Sequence, residues 1–170
     1  ESLLLTVTGN AGEITINDAA EDDAPAPADP YPSVRMVAGH SGVITDVDVR
    51  IDGLTHAWPD DVDARLVSPG GEQVMLVSDV GGGANDTGLS FTLDDDAPEA
   101  LPANGDIGDG PYRPTDDDSP GVCASDDQPG APEGNPAAEL GAFNGASPNG
   151  EWRLYVTDDC AADEGELRAW

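Results

Sequence analysis

The sequence predicts an all-β fold in a single domain, a sandwich or a jelly roll. Three observations lead there. The apolar residues fall in short segments of alternating polarity, enriched in Val, Ile, Leu and Thr, which is the period of a strand with one buried face. Turn signals separate these segments, supplied by 21 Gly and 15 Pro. No stretch carries the apolar period of an amphipathic helix, and no internal repeat of about 20–50 residues is present. At 170 residues the chain suffices for one domain with a real core and is short for two.

Each segment has its own warrant. Residues 1–16, ESLLLTVTGNAGEITI, hold two apolar runs around an Asn-Ala-Gly turn and read as strand, turn, strand. Residues 18–30, DAAEDDAPAPADP, are acidic and Pro-rich, the composition of a solvated connection. Residues 1–30 thus read as an N-terminal strand region and an acidic, Pro-rich connection. PSVRMVAG (32–39) and GVITDVDVRIDGL (42–54) alternate. In the second, strict alternation puts Val43, Thr45, Val47, Val49 and Ile51 on one face and Ile44, Asp46, Asp48, Arg50 and Asp52 on the other. DVDARLVS (61–68), QVMLVSD (73–79) and GLSFTLD (88–94) read as further strands. Val62, Ala64 and Leu66 point one way, Asp61, Asp63 and Arg65 the other. SPGGEQ (68–73) is a hairpin connection whose glycines can take positive φ. From about 94 to 136 the apolar pattern lapses into a long acidic insert rich in Pro and Gly, and inserts of that length are usually functional or pinned. The pattern resumes at AELGAFNG (138–145), GEWRLYVTDD (150–159) and GELRAW (165–170).

Charge narrows the function. Asp and Glu number 35 against six cations, all Arg, for a net charge of −29. Phosphate backbones and anionic membrane surfaces are repelled, which excludes nucleic-acid binding. No apolar run approaches transmembrane length, which argues against membrane insertion. No signal sequence opens the chain, so an exported form implies that the signal was removed or belongs to a larger precursor. Crowded carboxylates attract Ca²⁺, a hard ion that takes oxygen ligands; general adaptation to high salt is the alternative source of the acidity. The two cysteines, Cys123 and Cys160, lack neighbours at zinc-ligand spacing. As a disulfide they close a loop of roughly 38 residues, worth about 4 kcal/mol in the chain-entropy model, and imply an oxidising compartment.

Catalytic patterns fail one by one. GHSGV (39–43) places Ser41 as in a nucleophile elbow but has Val43 where the final Gly is required. With His40 and His56 the only histidines, a triad has few members to draw on. Carboxylate pairs are so abundant that a glycosidase pair cannot be singled out. The sequence therefore predicts no catalytic residues.

For Ca²⁺, no run fits an EF-hand loop, and GGGANDTGL (81–89) is a lone copy of a β-roll-like motif that needs stacking. A loop-built site is the remaining form. Asp79 ends one strand, three glycines let the chain fold back to Asn85 and Asp86, and the next strand ends in Asp94 and Asp95. Asp79, Asp86, Asp94 and Asp95 are the first candidate ligands. Asp158, Asp159 and Asp163, beside Cys160, are the second. NDT (85–87) is also a glycosylation sequon.

Taken in order, YPS (31–33), GVITDVDVRIDGLTHAWPDDVDARLVSPGG (42–71), MLVSDVGGG (75–83), LSFTLDDDA (89–97), LP (101–102), GPYRP (110–114), FNGASPNGEWRLYVTDD (143–159) and GELRAW (165–170) form a pattern. It resembles the P domain, or P/Homo B domain, of the kexin and furin proprotein convertases, and most of all its bacterial versions in secreted proteases and surface proteins. The stretch from His56 through Asp61 to Leu66-Val67-Ser68-Pro69, and the Asn-Gly-Glu-Trp-x-Leu stretch at 149–154, are its most specific parts. The resemblance implies a jelly-roll sandwich with no catalytic residues, secreted or at the cell surface. It also implies a subtilisin-like catalytic domain, or another domain of a larger precursor, as partner. His56, Pro59 and Asp61 then shape a turn into a core strand, Asp61 accepting backbone N–H bonds, while Trp152 and Leu154 fill the sandwich and Tyr155 faces away. The Cys pair and the acidic insert lie outside the pattern. A free-standing module that binds polysaccharide or another protein is the alternative, since jelly rolls host many lectins.

Overall fold

The computed structural model describes residues 3–4, 12–20, 24–84, 86–117 and 125–170. Its strands are β1 (Leu3–Leu4), β2 (Ile14–Ile16), β3 (Ala26–Pro27), β4 (Ser33–Val37), β5 (Ile44–Asp46), β6 (Val49–His56), β7 (Val62–Val67), β8 (Gln73–Ser78), β9 (Asp86–Leu93), β10 (Pro111–Tyr112), β11 (Thr115–Asp116), β12 (Gly150–Asp158) and β13 (Gly165–Ala169). Two 3₁₀ turns cover Pro59–Asp61 and Leu140–Phe143. No helix among the described residues is long and apolar enough to cross a membrane.

Two mixed sheets pack into a β-sandwich. One runs β10-β9-β6-β13-β2, the other β11-β8-β7-β12-β3 with β4 also on β12. The alternating segments supply the core between them, from Ile14, Ile51, Leu54, Phe91 and Leu167 on one sheet to Leu66, Leu76, Trp152, Leu154 and Val156 on the other. Fully burying a side chain of this size contributes about 1.5–3 kcal/mol. The Trp152 indole N–H donates to Pro148 O at 2.9 Å, and its ring meets Phe143 edge-on at 5.1 Å. The 68–73 hairpin is as expected: Ser68 N–H donates to Glu72 O at 2.8 Å, and Ser68 Oγ accepts from Gly70 N–H.

Residues 1–16 hold two strands as expected, β1 pairing with β5 and β2 with β13, while residues 5–11 lie outside the described residues. Three expectations are corrected. The 18–30 connection is partly structural, since β3 pairs with β12 and Ala28 N–H donates to Val156 O. Segment 42–54 is two strands. Its break at Val47–Asp48 flips the parity, so that Ile44 is buried and Val43 exposed while Val49 and Ile51 face the core as expected. The largest correction concerns β7, of which every residue is buried, Asp63 and Arg65 included.

The insert explains that burial. Its two short strands join the sheets in parallel, β10 on β9 and β11 on β8, with Leu101 and Ile107 buried beneath. Residues 125–136 then lie over the outer face of β7 and β12. Gln128 Nε2 donates to Asp63 O and Tyr155 O, each at 3.3 Å, and the Arg65 guanidinium donates to Asp126 O and Pro132 O. Tyr155, on this face as expected, packs edge-on against Tyr31 at 5.1 Å. An alternating pattern records which residues face outward, but not what covers them.

Candidate functional site

Two carboxylate-rich groups can each hold a metal ion: His56, Asp61 and Asp158, and Asp79, Asp116 and Asp126, with ligand atoms within 4.8 Å of one another in each. They differ in how far their polar atoms are already satisfied.

His56 ends β6, fully buried. Its Nδ1 lies 2.7 Å from Trp58 O and its Nε2 3.0 Å from Asp158 Oδ2. Nδ1 also lies 3.3 Å from the Trp58 N–H, so that edge of the ring can donate to the carbonyl or accept from the amide, while Nε2 faces the Asp158 carboxylate. Burial pushes its pKa down, but the Asp158 carboxylate, the Trp58 carbonyl and Asp61 outweigh that and leave it raised. Asp158 is equally committed, its Oδ1 accepting from Cys160 N–H at 3.0 Å. Asp61 belongs to this group rather than to the turn. Its main chain holds the turn, N–H to Trp58 O and O from Asp159 N–H, while burial and then Asp158 push its carboxyl up to about 7. Both ring nitrogens are engaged by neighbours, and through Asp158 the group ties β6 to β12 as a clasp. Gly165 on β13 makes room for it: a Cβ there would sit 2.5 Å from His56 Cδ2 and against Thr55 O.

Beside the second group stand buried carboxylate oxygens without partners. Ser78 ends β8, and its single hydroxyl lies 2.7 Å from Asp63 Oδ1, 3.0 Å from Asp126 Oδ1 and 3.3 Å from Asp79 Oδ2. One hydroxyl proton serves one acceptor, so three carboxylates converge where a single donor stands. Asp63 Oδ2 is buried with no hydrogen-bond partner, and so is Asp159 Oδ1; the other Asp159 oxygen accepts from Ser125 N–H at 2.9 Å. Burial, reinforced by neighbouring carboxylates, raises all three carboxyls: Asp63 well above the usual range, Asp79 to about 7, Asp159 to about 6. Asp116 and Asp126 line a groove of about 890 Å³ together with Arg65 and the rest of residues 125–136.

The first candidate ligand set does not converge. β8 and β9 belong to opposite sheets, and Asp86 and Asp94 stand at the two ends of β9, roughly 25 Å apart at strand rise. Asp94 Oδ1 accepts from Asp96 N–H at 2.7 Å, and Asp95 caps the second 3₁₀ turn by accepting from Leu140 N–H at 2.9 Å and Gly141 N–H at 2.7 Å. Asp86 is in register with His56; its side chain and Asn85 lie outside the described residues. Of the second set, Asp158 is in the clasp, Asp163 is half-buried in the β12–β13 turn, and Asp159 stands with Asp79 as one of the strongest charge influences on it. One member of each expected set thus meets in a cluster that also takes Asp63, Asp116 and Asp126, which the sequence pattern did not single out. The available signal was the density of acids on both sides of Cys123. Cys123 itself lies outside the described residues, and with it the expected bridge to Cys160.

Compared with known proteins, the sequence matches no family model and no curated protein.

Proposed function

We propose that this chain is a non-catalytic, extracellular accessory module, a jelly-roll sandwich similar to the P domain over residues 31–170 and stabilised by Ca²⁺. The role of the motif residues carries the reading. His56 and Asp61, with Asp158, are sealed from solvent in a clasp, Pro59 is buried in the turn and Trp152 in the core. The residues that look most like chemistry are therefore spent on scaffold, as an accessory domain requires. The Asn-Gly-Glu-Trp stretch supports it too: Asn149 Nδ2 donates to His40 O at 2.8 Å, and at Gly150, with φ 132°, a Cβ would meet Pro69 Cβ at 2.6 Å. The partner on this reading is a subtilisin-like catalytic domain or another domain of a larger precursor, in an oxidising compartment where Cys123 and Cys160 pair. Ser125 on Asp159 brings the chain near Cys160 two residues after Cys123, in keeping with that pairing.

The test is a stability assay beside an activity panel. On this reading the protein turns over neither chromogenic peptides nor glycosides, and Asp158→Asn lowers the melting temperature. Turnover abolished by one Asp or Ser substitution would overturn it.

A second reading, polysaccharide binding, is favoured by one observation. Trp58 is 49% exposed, and its ring lies against Gly83, where a Cβ would come within 2.9 Å of three ring carbons. An open indole face is a sugar platform. Retention on an insoluble polysaccharide that survives EDTA and is lost in Trp58→Ala would put this reading first; no retention removes it.

A further inference from the structure

Stabilisation by Ca²⁺ needs a site, and the site assigned below the outer face of β7 and β8 rests on that reading. The geometry points to one Ca²⁺ bound by Asp79, Asp116 and Asp126 against the buried Asp63 carboxylate, with Asp159 behind it, as a staple between the 94–136 insert and the sheet.

Acid density alone would not carry this. The second observation is Asp63: the residue is 2% exposed, one oxygen is held by Ser78, and the other is buried and unpartnered. An isolated buried carboxylate is among the most costly groups to leave unmatched. The ion pairs among the described residues join Arg50 to Asp52, Arg153 to Glu151, Arg168 to Glu166 and His56 to Asp158; none reaches Asp63, Asp79, Asp126 or Asp159. Arg65 lies nearby, but its terminal nitrogens donate to carbonyls and the Gln73 amide, and its Nε is buried without a partner. Among the described residues, no ion pair offsets these carboxylates.

The donor set chooses the ion. All the candidate ligands are carboxylate oxygens, with no thiolate or free imidazole, which selects a hard cation over zinc or copper. The Asp79, Asp116 and Asp126 oxygens lie within 4.8 Å of one another, inside the roughly 5 Å between opposite ligands of Ca²⁺ at 2.3–2.6 Å bond lengths. Asp116 and Asp126 are exposed and Asp79 half-buried, so water can complete a shell of about 6–8 oxygens. The ligands also come from distant segments: Asp79 after β8, Asp116 from β11 and Asp126 from the covering segment, beside Asp63 of β7. An ion bound to these three fastens the insert down, and with it the cover over Arg65.

Isothermal titration of EDTA-stripped full chain with CaCl₂ in molar NaCl tests the site, beside melts of the same samples. One saturable site is expected, weakened about tenfold or more in Asp126→Asn and unchanged in Asp94→Asn. Asp63→Asn carries a signature that a merely structural residue would not: it raises the melting temperature of the stripped protein and abolishes the further rise with Ca²⁺. If Ca²⁺ binds but Asp126→Asn leaves the affinity intact, this site is wrong and the Ca²⁺-stabilised reading stands. If no variant and not even the parent binds Ca²⁺ saturably, both fall.

Discussion

His56 is buried at the end of β6, and on the proposed reading its role is structural. Its ring sits between the Trp58 carbonyl and Asp158, and removing one partner of a buried pair typically costs about 3–5 kcal/mol. His56→Gln should lower the urea midpoint accordingly. The pH dependence has a definite sign. The folded pKa is raised above the unfolded value of about 6.5, so the stabilisation is full below that value and is lost as pH rises through the folded pKa. Urea titrations of parent and variant between pH 5.5 and about 9 should show their difference shrink toward high pH; a constant difference contradicts a charged His56 facing Asp158 and Asp61. Gly165→Ala tests the space beside the ring. Overpacking there should destabilise by about 1–3 kcal/mol, read from the same midpoint, and the turn itself should stay intact. At this scale the sequence was informative. The burial of Trp152 agrees with what the P-domain resemblance implied, and the turn at Pro59 after His56 is present where that resemblance put it.

Elements were legible where they alternate and opaque where something covers them. β6, β7, β8 and β12 follow from their β-branched periodicity, and the 68–73 hairpin from its Pro-Gly-Gly. Asp63 did not follow, since its place on β7 reads as a wet face until residues 125–136 are laid over it. The Val47–Asp48 break was hidden for a related reason: two strands of odd offset look like one when both alternate. The insert is pinned by main-chain bonds that leave no apolar signature, such as Asp94 N–H to Tyr112 O and Ala137 N–H to Gln73 O, both 2.8 Å. Its acids were visible as composition, but which of them meet depends on where β11 and residue 126 dock. If an ion fastens this insert, limited proteolysis in EDTA should cut within residues 117–136 while excess Ca²⁺ protects them, and cleavage indifferent to Ca²⁺ would contradict the staple. Reduction should loosen the same segment if Cys123 and Cys160 pair, because the loop of roughly 38 residues then opens; equal protease resistance with and without reductant would argue against the bridge.

The whole molecule carries −29, and self-repulsion at that charge opposes compaction. Salt screens it, with a Debye length near 3 Å at about 1 M, so NaCl alone should raise the melting temperature and do so without saturating at a stoichiometric point. Bound Ca²⁺ acts differently, through mass action on a site present only in the folded chain. Separating these two effects is decisive, because a solvated acidic coat and a built site look alike in composition. The most direct measurement is a thermal melt of EDTA-stripped protein titrated with CaCl₂ in molar NaCl. A built site predicts a further, saturable rise in melting temperature at micromolar to millimolar Ca²⁺, superimposed on the plateau that salt has already produced. A melting temperature that NaCl raises fully and Ca²⁺ leaves unmoved would contradict it.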